Sequence, residues 1–289
     1  MKKLSVFIPF AGLILFFAFA FIAGQKRLIL LFPLGTIAQQ QAHLIFLAIA
    51  IMLIIIVPVY VALFFVAFKF RSGKKSEKSS YEQKIPKKIQ LLWWVAPSLI
   101  ILIIAFITWG KTHALDPYNE LDSRAMPLRI QVVALQWKWL FLYPEENIAT
   151  VNFVVFPERT PIAFELTSDG PMNSFWLPAL SGQIYAMSGM STKLHIKATS
   201  LGDFNGYAAE INGKGYSGMK FTARSVSKED FGKWVNETKN NKMLDDDGYK
   251  KIATPSEDAP IMLYGSDERD LYDKILAKYQ QPMAGMESK

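Results

Sequence analysis

The sequence predicts a two-helix transmembrane hairpin joined to an all-β sandwich domain that closes with short C-terminal helices. Three observations carry that reading. Uncharged apolar runs crowd the first 110 positions, short β-branched and aromatic runs recur from 128 to 224, and helical spacing returns after Ser227. With 51% hydrophobic residues and a mean hydropathy of +0.17, the chain is too apolar for an ordinary soluble protein and too charged for a pure membrane bundle.

The apolar runs are Leu4 to Gly24, Leu44 to Phe68 and Leu91 to Trp109. At 1.5 Å of rise per residue, about 20 residues cross a hydrocarbon core of roughly 30 Å, so 44–68 and 91–109 are expected to span as helices. The first run starts Met1-Lys2-Lys3 and ends Ile22-Ala23-Gly24, the layout of a cleaved secretory signal; an uncleaved third helix is the other reading. Gln25 stands where a lipoprotein site would need a cysteine, so lipid cannot be attached there. Expected boundaries are 1–24 for the signal-like segment, 25–110 for the hairpin, 111–226 for the β domain and 227–289 for a helical extension.

Direction follows from charge. Loop 69–90 carries Lys69, Arg71, Lys74, Lys75, Lys78, Lys84, Lys87 and Lys88 against Glu77 and Glu82, an excess that holds a short loop in the cytoplasm. The C-terminal domain is therefore expected on the extracytoplasmic side. Much of the net charge of +7 is concentrated in that loop, so nucleic-acid binding is not implied.

Strands are expected within Leu128–Leu142 and at 151–156, 162–166, 183–186, 193–198, 206–211 and 219–224. Turns are signalled by Pro157-Glu158, Ser168-Asp169-Gly170, Leu201-Gly202-Asp203 and Asn212-Gly213. Ser227 supplies a cap oxygen before Phe231, Trp234 and Val235 at helical spacing, and 249–253 and 270–279 read as further short helices. The last residues, 280–289, are expected to lack order.

The chain has no cysteine, which excludes disulfides, thiolate nucleophiles, iron–sulfur ligation and thiolate copper sites. Its histidines, His43, His113 and His195, are too scattered for a metal site and read as surface or interface residues.

Three motifs narrow the class: Gln136-Trp137-Lys138-Trp139, then Asn173-Ser174-Phe175-Trp176-Leu177-Pro178, then Ala208-Ala209-Glu210-Ile211-Asn212-Gly213-Lys214-Gly215-Tyr216-Ser217-Gly218-Met219. In order and spacing the chain resembles subunit II of the haem-copper oxidases over nearly its whole length. The resemblance implies a cupredoxin-like β domain. In the cytochrome c oxidases of that family the last two motifs bind a dinuclear copper centre through two cysteines, two histidines, a methionine and a glutamate carbonyl. Here Asn173 and Tyr216 fall at the histidine positions and Ala208 and Asn212 at the cysteine positions, leaving Glu210 and Met219. A carbonyl and one thioether do not hold copper.

That loss is similar to the quinol oxidase branch, as are Leu115-Asp116-Pro117-Tyr118 and Gly182-Gln183-Ile184-Tyr185-Ala186-Met187. The resemblance implies a non-redox subunit II of a proton-pumping quinol oxidase, oxidising membrane quinol and reducing oxygen to water. This chain would hold no cofactor; haem, copper and the quinol site would lie in subunit I, with other small membrane subunits and the bilayer as further partners. Expected contact groups are Trp93, Trp94, Asp116, Tyr118, Trp137 and Trp139. With no copper behind it, Trp137, the electron-entry position of the cytochrome c branch, is expected to pack. Gln90 stands where many members carry a glutamate at a proton-path entrance, and an amide cannot relay protons as a carboxyl does. Pro97 is expected to kink its helix. Two rival readings are a cytochrome c oxidase derivative, exposed by copper uptake, and a free-standing membrane-anchored binding domain, exposed by purification without a haem-bearing partner.

Overall fold

A computed structural model describes residues 21, 33–69, 86–121, 126–267 and 270–280. The signal-like segment 1–24 (Phe21 apart), most of the basic loop and the tail 281–289 lie outside the described residues. Contacts divide the chain into one unit of His43–Asp116 and another of Met1–Ala42 with Pro117–Lys289.

The first unit is dominated by two apolar helices, α1 (Thr36–Lys69, begun in the other unit) and α2 (Lys87–Ala114). Both are long and apolar enough to cross a membrane, with mean hydropathies of 3.1 and 2.4 in their most apolar windows. Each outruns the expected span, because backbone hydrogen bonding continues past the apolar stretch: 34 residues correspond to about 51 Å and 28 to about 42 Å. Pro97 lies inside α2, with no break in the assigned helix.

Two mixed sheets make the β domain. One has the order β11-β3-β2-β1-β5-β8 and the other β4-β10-β9-β6-β7. The strands are β1 (Leu128–Leu135), β2 (Lys138–Tyr143), β3 (Ile148–Val151), β4 (Phe153–Pro157), β5 (Ile162–Ser168), β6 (Asn173–Trp176), β7 (Gln183–Ala186), β8 (Thr192–Ile196), β9 (Gly202–Ala208), β10 (Lys220–Val226) and β11 (Met262–Gly265). β1 runs parallel to β5 and β4 parallel to β10; the other pairs are antiparallel.

The core between the sheets is aromatic. Phe175 stacks on Phe221 with centroids 4.8 Å apart, and Trp139 meets Phe175 edge-on at 5.2 Å, geometries that aromatic quadrupoles favour. A second apolar cluster lies on the other face of the first sheet, where Val133, Leu135, Leu140 and Leu142 meet Leu244, Ile252, Leu271 and Ile275. Burial on both faces explains why β2 reads as a continuous run: all six of its residues are buried.

The helices α3 (Lys228–Lys239), α4 (Asp246–Ala253) and α5 (Leu271–Gln280) follow the expected pattern. Ser227 accepts a hydrogen bond from the Asp230 N–H and Asp245 accepts one from Gly248, so both first turns are capped as their sequences imply.

Several expectations are corrected. The run 151–156 is not one strand: Asn152, at φ 57°, passes the chain from β3 in one sheet to β4 in the other. Gly202 and Asp203 open β9 and do not form a turn, while β11 carried no strong signal. His195 is 7% exposed and so is not a surface residue; its Nδ1 lies 3.0 Å from the Pro117 carbonyl. Residues just before the apolar run belong with the β domain. Leu34 N–H donates to Ala179 O and Ala38 N–H to Leu180 O, and a side chain at Gly35 would meet the Leu180 backbone at 2.4 Å.

Candidate functional site

The loop from Ala208 to Met219 joins β9 to β10 and lies beside the start of β6. Local geometry forces this. β6 pairs with β9 through Phe175 and Ala208, and Ala209 N–H donates to Ser174 O, so Asn173 and the loop share one end of the sheet.

At that end Asn173 is satisfied by its neighbours. Asn173 is fully buried; its Nδ2 donates to Met219 Sδ at 3.1 Å and its Oδ1 accepts the Ser174 N–H at 2.7 Å. Asn212 Nδ2 approaches the same sulfur at 3.9 Å, while Asn212 Oδ1 is buried without a hydrogen-bond partner among the described residues. Ala208 brings only a methyl, and half-buried Tyr216 packs against the core. Glu210 is partly exposed on the loop. The donor set therefore does not fit a dinuclear copper centre: amides and a phenol stand where thiolates and imidazoles would be needed, and the thioether already accepts an amide N–H. Among the described residues no three His, Cys, Asp or Glu side chains converge.

Trp137 turns the chain between β1 and β2 at φ 69° and lies half-buried against the loop. A Cβ on Gly215 would sit 2.4 Å from its indole ring, so glycine is required for this contact. Trp139 is 0% exposed and belongs to the core, which removes it from the expected contact surface. Trp93, Trp94, Asp116 and Tyr118 are exposed, as is Gln90 near the start of α2.

A C-terminal strap crosses the outside of this region. Ser256 N–H donates to Gln136 O, Lys214 pairs with Glu257 at 3.1 Å, and Asn152 Nδ2 donates to Ala259 O at 2.8 Å. Lys138, 2% exposed, donates to Ile252 O and Thr254 O, both at 2.8 Å, and so closes the end of α4. Burial pushes its ammonium below the ordinary lysine value. The signal was a lone charge within an otherwise apolar strand.

A second hub ties down α5. Asp169, its side chain 5% exposed, accepts hydrogen bonds from Lys278 and Tyr279 at 2.7 Å each and from Tyr249. Desolvation works to raise its pKa, and the three donors together outweigh that and hold it below the usual carboxylate range.

Two membrane-capable helices and a β sandwich with an aromatic core set the class of fold. The COX Aromatic Rich Motif model matches residues 239–283, the stretch containing the strap and the helices over the first sheet. Cytochrome bo(3) ubiquinol oxidase subunit 2 of Pseudomonas putida is 43% identical over 96% of this chain and 87% of its own length. Ubiquinol oxidase subunit 2 of Acetobacter aceti is 41% identical over 87% and 82%, and quinol oxidase subunit 2 of Bacillus anthracis 34% over 88% and 86%. The solved periplasmic domain of subunit II of cytochrome oxidase from Bradyrhizobium japonicum matches 38% of this chain and 91% of its own at 26% identity, TM-score 0.37. The chain belongs to the quinol oxidase subunit 2 family.

Proposed function

We propose that this chain is the non-redox subunit II of a proton-pumping quinol oxidase, on a cupredoxin scaffold that has lost its metal. One observation supports the reading: Asn173, which the resemblance puts at a copper-ligand position together with Ala208, Asn212 and Tyr216, donates a hydrogen bond to Met219, leaving the thioether engaged. Electrons from membrane quinol would then pass within subunit I, which would hold haem and copper, while this chain supports and assembles that subunit.

The basic loop supports placing the β domain on the extracytoplasmic side. Exposed Trp93, Trp94, Asp116 and Tyr118, with half-buried Trp137, form the contact set we assign to subunit I. Gln90 stands at the proton-entrance position without a titratable group, so that path draws its proton elsewhere.

Purification in mild detergent tests the assembly. Co-elution with a haem-bearing large subunit is expected, and an isolated colourless monomer would contradict it.

A further inference from the structure

The C-terminal module encloses a groove of about 300 Å³ between Lys138, α4 and β11. Its apolar wall includes Met243, Ile252, Met262 and Tyr264, and its charged groups are Lys138, Lys242, Lys251 and Glu257. The charges do not cancel. Glu257 is already paired with Lys214, whereas among the described residues neither Lys242 nor Lys251 forms a salt bridge.

Lys138 is the informative member. An ammonium carries three N–H donors, and the carbonyls of Ile252 and Thr254 take two. The third has no partner among the described residues, on a side chain that is nine-tenths buried and lines the groove. A buried cation with an unspent donor favours a charge-assisted bond to an anion. Asp245, at the start of α4, also faces Lys242 and Lys251; it is held below the usual carboxylate range chiefly by the Gly248 N–H, with the two lysines adding to it.

We propose that this groove binds a small amphiphilic anion, its carboxylate or phosphate head on Lys138 between Lys242 and Lys251 and its apolar body along Met243, Met262 and Tyr264. A volume of about 300 Å³ lies at the small end of ligand pockets and suits a head with a short chain. The proposal does not depend on the oxidase reading.

Lysine acetylation followed residue by residue by mass spectrometry tests it on the full chain as purified from membranes and transferred to amphipol. Hexanoate, hexyl phosphate, hexan-1-ol and inorganic phosphate serve as probes. At a probe concentration about four times Kd, only free sites react, so acetylation of Lys242 and Lys251 falls roughly five-fold while exposed Lys228 and Lys233 are unchanged. Protection by either amphiphilic anion supports the site, and the stronger of the two identifies the head. Met262→Trp, which fills the groove, is expected to abolish that protection and leave Lys228 and Lys233 reacting as before. Protection by hexan-1-ol or inorganic phosphate as strong as by the better of the two amphiphilic anions would overturn the proposal, as would no site-specific protection or an unaltered response of the Met262→Trp chain.

Discussion

Asp169, just after β5, shows how one residue holds two helices that lie far from it in sequence. Its carboxylate collects Lys278 and Tyr279 from α5 and Tyr249 from α4, so Asp169→Asn removes the charge that three donors converge on. Hydrogen bonds to charged groups are worth about 1.5–3 kcal/mol each, and the exposed Lys278 adds little, so a loss of about 2–3 kcal/mol is expected. Because the folded pKa is depressed, the stabilisation is fully present above the unfolded carboxylate value and disappears as pH falls through the folded one. Thermal melts across that acid range are expected to fall more steeply for the wild type than for Asp169→Asn; parallel curves would remove Asp169 from the explanation. At Gly215 the constraint is steric: Gly215→Ala drives a methyl into the Trp137 indole, and a loss of about 1–3 kcal/mol is expected by chemical denaturation.

At the scale of elements, the legible features were those whose signal is local. Apolar runs announced α1 and α2, and Ser227 with Phe231, Trp234 and Val235 announced α3, because caps and periodicity act within a few residues. Helix ends were less legible, since Thr36 and Gln39 to Gln41 are polar and the backbone of Thr36 and Ala38 is held by Lys197 and Leu180, far away in sequence. The same limit hid the sheet change at Asn152, strand β11 and the Pro117 contact of His195. The candidate metal loop was legible as a motif, but its replacement by an Asn173–Met219 hydrogen bond was not, because no spacing rule joins residues 46 positions apart. Lys138→Met tests the strap, since it leaves the carbonyls of Ile252 and Thr254 without their buried donor. Amide exchange across 246–265 is expected to accelerate by about tenfold or more while β5 and β9 stay protected. Uniform acceleration would show that Lys138 supports the whole sandwich and not the strap. Gly35→Val is expected to make the segment before α1 accessible to protease, because the Leu180 backbone cannot yield.

Taken whole, the molecule combines two membrane-capable helices with a sandwich buried on both faces of its first sheet, and beside the 208–219 loop an amide of Asn173 bonds the Met219 thioether. On the function proposed above, such a chain braces a catalytic partner and passes no current from a soluble protein. Oxygen uptake by membranes containing the intact complex tests that claim most directly, driven in turn by quinol and by reduced soluble cytochrome c. Quinol is expected to sustain uptake that disappears when this chain is deleted, and reduced cytochrome c to give none above background. Cytochrome c-driven uptake that depends on this chain would contradict it.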